Sequence, residues 1–254
     1  MEGAEGVEGD VNLIERHAHI DIFSPFNQGK YESCVLATIL YGMALVSDPP
    51  ISTASDLPSI SYSYYKSRKT EDKRCCNEHL CDYACGSIIT LGLQIAEGGV
   101  VSRTFWPEEE ADSTVYVKRF LKDPTMGSST RHYLQKYEIL DATPESVVRS
   151  LDRGCPVVVN IRVFEAQHDF FSQVKGEGTS VYSSIYSLPR ASGNPREMGH
   201  CVLVVGYSAK HRSFLTRNSF GHAWGFVGDF NIPFSQIEPW QVYKAIAICK
   251  SVIK

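Results

Sequence analysis

Twelve consecutive residues, Val35 to Val46, read Val-Leu-Ala-Thr-Ile-Leu-Tyr-Gly-Met-Ala-Leu-Val and leave almost no polar face when wound into a helix. A helix that is apolar all round must be buried all round, so the spacing predicts a central helix over residues 33–46 covered by the rest of the fold. Cys34 stands at its start, delivered there by the polar, glycine-containing turn Asn27-Gln28-Gly29-Lys30-Tyr31-Glu32-Ser33. A free thiol, with a pKa of about 8.5, is mostly protonated at neutral pH, and a helix N-terminus or a nearby histidine lowers that value. Cys34 therefore sits where a nucleophilic thiolate can be made.

A second constellation lies near the other end: Gly199-His200-Cys201-Val202-Leu203-Val204-Val205-Gly206-Tyr207, then Arg217-Asn218-Ser219-Phe220-Gly221-His222-Ala223-Trp224-Gly225. Residues 202–207 and 213–217 read as strands joined by the hairpin-length loop Ser208-Ala209-Lys210-His211-Arg212. If 207 pairs near 213, then 202 faces about 218, and His200 comes within diagonal reach of Asn218. Asn218 can then hold the imidazole in one orientation. With Gln28 as a second amide able to hold an oxyanion, the two stretches carry the parts of an acyl-transfer site.

These motifs resemble those of the papain-like cysteine peptidases. In that family a glutamine six positions before the nucleophile donates to the oxyanion hole, and Gln28 stands six positions before Cys34. The family's histidine is followed by an apolar strand ending Gly-Tyr, then by Asn-Ser-Trp-Gly and Trp-Gly. The corresponding residues here are Gly206-Tyr207, Asn218-Ser219-Phe220-Gly221 and Trp224-Gly225. The stretches 57–68, 98–107 and 225–234 are similar to a branch found in bacteria and large DNA viruses, which often lacks the long helical propeptide of lysosomal cathepsins. The likeness covers roughly residues 15 to 250 and is weakest in the middle third.

The resemblance implies that Cys34 is the nucleophile, His200 the general base, Asn218 its orienting amide and Gln28 an oxyanion donor. It also implies that Trp224 shields the Asn218–His200 hydrogen bond and that Gly86, after Cys85, lines the substrate cleft. Gly199 is a further candidate substrate contact. Departures from the family are Tyr31 for a cysteine, Glu32 for a glycine, Val35 for a frequent tryptophan and Phe220 for the tryptophan beside the asparagine. Glu32 places a carboxylate beside the oxyanion loop, where it is expected to attract basic residues of a substrate.

Helices are expected at 57–68 with a Pro58 start, at 87–96 closed by Gly98-Gly99, and from Thr143-Pro144-Glu145 to Leu151 with a closing Gly154. Strands are expected at 156–163, 201–207, 213–217, 226–232 and 245–249. Helices thus crowd the first half and strands the second, an α+β chain. The resemblance implies two lobes, a helical one over about 25–120 and an antiparallel β-barrel-like one over about 121–250, with the active site between them. The Ser-, Gly- and Tyr-rich stretch 172–198 reads as a long loop on the cleft rim. The acidic, glycine-rich start, taken to residue 16, reads as a flexible tail before a single domain over 17–250. It is too short and too polar for an inhibitory helical unit, so the chain is expected to be active as made. Its activity would be restrained by location, redox state or a separate protein inhibitor.

At 254 residues the chain can bury a sizeable core, and a net charge of −4 gives no reason to expect nucleic acid or an anionic membrane as partner. No apolar run approaches the length of a membrane span, and no secretory signal precedes the domain, so a cytoplasmic or virion location is expected. No cofactor is required. Cys75, Cys76, Cys81 and Cys85, with His79, crowd into eleven positions. Their spacing does not match a paired CxxC zinc ribbon, and disulfides, reduced thiols and a metal site all stay open. Cys155, Cys201 and Cys249 read as buried strand residues. The cations from Lys66 to Arg74 interleaved with Tyr62, Tyr64 and Tyr65 fit a solvated helix face better than a nucleic-acid surface. The expected activity is hydrolysis of peptide bonds through a thioester acyl-enzyme, with peptide or protein as substrate. A catalytically weak papain-fold protein that binds peptides or a partner is the alternative.

Overall fold

The computed structural model describes residues 9–15, 25–28, 33–71, 85–105, 130–164, 197–239 and 242–254. In chain order they form β1 (Asp10–Asn12), α1 (Cys34–Leu45), β2 (Ser47–Asp48), α2 (Ile60–Glu71), α3 (Cys85–Gly98), β3 (Val100–Val101), β4 (Arg131–Leu140), α4 (Pro144–Asp152), β5 (Val157–Phe164), β6 (Glu197–Ser208), β7 (Ser213–Arg217), β8 (Asp229–Pro233) and β9 (Val242–Ile253). Among the described residues no helix is long and apolar enough to cross a membrane.

All twelve residues of α1 are buried, as its unbroken apolar run requires. It packs with α2 and α3 on one face of the sheet. That face is also lined by Cys201, Leu203 and Val205 of β6 and by Ile246 and Ile248 of β9. Val202 and Val204 of β6 point the other way, into a second core built with Val147 and Leu151 of α4 and Phe214, Phe230 and Ile232 of β7 and β8. The two-residue alternation of a strand thus lets β6 serve both cores.

The strands lie in the order β3-β4-β9-β5-β6-β7-β8, with β1 added to β6 and β2 to β9. Among the described residues only the β2–β9 pair is parallel. The fold is α+β, but among the described residues the expected barrel-like closure is not found. The path is open, because its β3 end is only two residues long and pairs with β4 alone.

Several element boundaries need correction. Pro58 does not start α2; it bridges to Ser102, and Ser59 Oγ accepts the Tyr62 N–H at 3.1 Å as the cap instead. Residues 226–228 are not strand, since Val227 and Gly228 have φ of 57° and 85°, outside the extended region. β6 begins at Glu197, so the last residues of the expected rim loop are strand, while 172–196 lie outside the described residues. The flexible tail does not extend to residue 16, because Asp10–Asn12 pair with Gly206–Ser208 and Leu13 and Ile14 are buried. α4 matches its expected signals, with Thr143 Oγ1 accepting the Ser146 N–H at 3.3 Å and Pro144 in the first helical position.

Candidate active site

Cys34 is the first residue of α1, where the backbone N–H has no partner within the helix and the helix's positive end is nearest. No side-chain cap from Ser33 covers that end. The burial of every turn behind it fixes the cysteine against the sheet.

His200 arrives on β6. The register is Ser208↔Ser213, Tyr207↔Phe214 and Gly206↔Leu215, then shifts at Val205 to Val204↔Thr216 and Leu203↔Arg217. Continued on that line, 202 faces 218, which is the relationship expected from the sequence. His200 Nε2 and Asn218 Oδ1 lie 2.8 Å apart, both residues buried. The same oxygen accepts the Ser219 N–H at 2.8 Å, so the asparagine is oriented acceptor-first towards the imidazole. With Nε2 engaged there, the hydrogen bond between His200 and Cys34 falls to Nδ1.

Electrostatics favour the charged forms of both groups. A hydrogen bond from the Cys201 side chain is the largest influence on Cys34, and with the bond and charge of His200 it outweighs burial and holds the thiol well below its ordinary value. Burial is the largest influence on His200 and opposes protonation. The hydrogen bond and charge of Cys34, helped by Asn218, overcome it and raise the imidazolium above its ordinary range. Both shifts run in the direction that favours a thiolate–imidazolium pair.

Gln28 is brought to this pair by Ser219. The Gln28 N–H donates to the Ser219 carbonyl at 2.8 Å, and Ser219 Oγ donates to Gln28 Oε1. With its oxygen engaged in this way, the amide has its NH₂ group as the remaining donor. Beside these bonds, Asn27 bridges to Phe220 and the Gly221 N–H donates to the Phe26 carbonyl at 3.0 Å. The approach depends on Gly228, where φ is 85° and an added Cβ would stand 2.3 Å from Pro25 Cγ.

The structure therefore brings Gln28, Cys34, His200 and Asn218 together. Gly199 precedes His200 on β6 and is half-buried. Trp224 is buried, and its ring meets Phe220 edge-on at 5.8 Å. Gly86 falls in the first turn of α3, and Glu32 lies outside the described residues, as do Cys75, Cys76, Cys81 and His79. Three residues not singled out as site residues in the sequence also belong here. Phe220, noted there only as a departure from tryptophan, stacks on His200 with ring centroids 5.0 Å apart. Ser219 clamps Gln28, and Cys201 is the largest influence lowering the Cys34 thiol. Arg217 and Asp229 close the base of the loop between them, with Nε to Oδ1 at 2.8 Å and Nη2 to Oδ2 at 3.0 Å.

Comparison with known proteins bears on the family and the fold. The model of the Peptidase_C39 like family matches residues 109–235. An uncharacterised peptidase C1-like protein of Acanthamoeba polyphaga mimivirus is 27% identical over 225 residues, covering 84% of this chain. The match takes in 65% of that relative, just under two thirds of its length. The crystal structure of xylellain, a cysteine protease from Xylella fastidiosa, superimposes with a TM-score of 0.70 at 21% identity, over 96% of this chain and 87% of its own. The Carica candamarcensis cysteine protease CMS1MS2, solved in complex with E-64, superimposes with a TM-score of 0.58 at 16% identity, over 96% and 99%. At these identities the two structures speak to the fold.

Proposed function

The chain belongs to the papain-like cysteine peptidase family, and from that premise we propose that it hydrolyses peptide bonds with Cys34 as the nucleophile. The observation that carries the reading is the continuous hydrogen-bonded series Cys34–His200–Asn218, with the Gln28 amide clamped beside it. A nucleophile bonded to a base, and the base bonded to an orienting group, is the geometry that covalent acyl transfer needs.

In the proposed reaction the Cys34 thiolate attacks the peptide carbonyl, and the oxygen that gains charge is held by the Gln28 NH₂ and the Cys34 backbone N–H. The His200 imidazolium gives its proton to the leaving amine as the carbon–nitrogen bond breaks, leaving a thioester. His200, now neutral, takes a proton from water, whose oxygen attacks the thioester. Collapse of that intermediate releases the acid and returns the thiolate–imidazolium pair. Asn218 keeps the ring in plane throughout, and Phe220 limits water on its face.

The substrate class proposed is peptide or protein, without a cofactor. Profiling a peptide library with the full chain and with Cys34→Ala tests this. Cleavage by the first and none by the second supports it. Binding of peptides without cleavage by either would instead make the protein a binding module on a peptidase fold.

A further inference from the structure

β4 is the outermost long strand on its side of the sheet. β9 pairs with one of its edges from His132 to Leu140. On the other edge β3 meets only Arg131 and His132, and among the described residues no strand pairs with 133–140. Such an edge presents a row of unpaired N–H and C=O groups, a template for a further strand.

The side chains mark the same edge. Ile139 stands opposite Ile246 of β9, which is 1% exposed in the core on the α1 side. One strand further out on that face, Ile139 is 67% exposed. Tyr137, opposite Ile248, shares the face and is half-buried. Glu138, opposite Ala247, faces the α4 side, where Lys136 reaches it with Nζ to Oε1 at 3.1 Å.

These charges decide which strand the edge can take. A lysine and a glutamate on an edge discourage pairing with an apolar strand, and they suit one that carries the same two charges in reverse order. An antiparallel copy of β4 carries that order. A twofold axis perpendicular to the sheet sets two copies antiparallel and keeps like faces together. Centred on Glu138 it would oppose two carboxylates, and centred on Lys136 two ammonium groups, both unfavourable across strands. Centred on Tyr137, it places Lys136 opposite the partner's Glu138 and Glu138 opposite the partner's Lys136. On the α1 side each Ile139 then lies diagonal to the partner's Tyr137, within reach of an aromatic ring.

We propose that β4 is a dimerisation edge, through which two copies of this chain join in antiparallel register about Tyr137 and extend one sheet across both. The inference uses neither the nucleophile nor the peptidase reading. The register shifts on either side of Lys136 keep the regular part of the edge short. An edge of that length buries less than about 1,200 Å², the class of weak, concentration-dependent association.

The test is sedimentation velocity of the full chain over a concentration series, with hydrogen exchange of residues 136–140 followed alongside. A monomer–dimer equilibrium is expected, with exchange in that segment slowing as the dimer forms and association weakening as salt rises. Lys136→Glu and Glu138→Lys should each raise the Kd at least about tenfold. The double variant should return it to near the parent value, and the two single variants should associate with each other when mixed. Ile139→Asp, which alters neither charge of the pair, should also weaken the dimer. Unfolding midpoints close to the parent's are expected throughout, because exposed ion pairs contribute little to stability. A parent chain that stays monomeric across the series, exchange at 136–140 that is independent of concentration, or single variants that dimerise as the parent does overturns the proposal. So does a double variant as weak as the single ones.

Discussion

Gln28 and Ser219, 191 positions apart in the chain, are joined twice, once through the backbone and once through their side chains. The pairing ties the segment before α1 to the residue after Asn218, so Gln28 and Asn218, the proposed oxyanion donor and orienting amide, share one support. Removing an oxyanion donor typically costs about 100- to 1000-fold in turnover. Gln28→Ala should lower kcat by that order with little change in KM. Ser219→Ala should cost less, on the order of tenfold, as expected for losing one orienting hydrogen bond of about 1 kcal/mol. A raised KM at unchanged kcat in either variant would assign the pair to substrate binding.

The thiolate–imidazolium pair sets a pH profile. Cys34 is held below its ordinary value, first by Cys201 and then by His200, while His200 is held above its own. Between those limits the thiolate persists, so alkylation of Cys34 by iodoacetamide should stay fast on the acid side of neutrality. A single rise centred on the ordinary thiol value of about 8.5 would contradict this. In Cys201→Ala the acid limb should move to higher pH, since the largest stabilising bond to the thiolate is gone.

Arg217 and Asp229 form a bidentate, largely buried pair at the start and end of the loop that carries Asn218. Breaking one side of such a pair leaves an uncompensated buried charge, at a cost of about 3–5 kcal/mol. Asp229→Ala should lower stability by that order in urea unfolding, and activity should fall further than the folded fraction explains. Replacing both residues by apolar ones of similar volume should restore much of the stability. Failure of the single variant to shift the midpoint would remove the clamp role.

His132 on β4 is buried, and burial is the main cause pushing its pKa down to about 4, with Asp56 offsetting only part. The folded value is below the unfolded one, so the unfolded chain binds the proton first as pH falls. The contribution is complete above about 6.5 and is lost between there and about 4, at most roughly 3 kcal/mol. His132→Phe should flatten that part of the stability–pH curve. An unchanged slope between pH 6.5 and 4 would exclude His132 as its source.

Much of the site was legible because its parts obey local rules. Residues 35–46 could only be a buried helix, and the hairpin from 202 to 217 carries turn and strand signals that predict its register. The bulge at Val205 restores at Leu203↔Arg217 the line that a simple count expects. β4 was not legible: among Arg131–Leu140 only His132 and Leu134 are buried, and its pairing with β9 shifts twice near Lys136, so no two-residue alternation reaches the sequence. Nor was the influence of Cys201 on Cys34. A cysteine among valines and leucines on a strand buried on both faces looks like any small apolar residue, and which core it faces depends on pairing distant in the chain. The open sheet likewise follows from how β3 ends, which no local pattern records.

The burial of every side chain on α1 carries a consequence for how this protein can vary. An ordinary surface helix tolerates substitution in a 3.6-residue rhythm, its outer positions drifting while its inner ones hold. α1 has no outer positions. In a library of all single substitutions it should stand out as twelve contiguous intolerant positions, a block without rhythm. Diversity among functional variants would then have to accumulate elsewhere, on the segments that surround this fixed post.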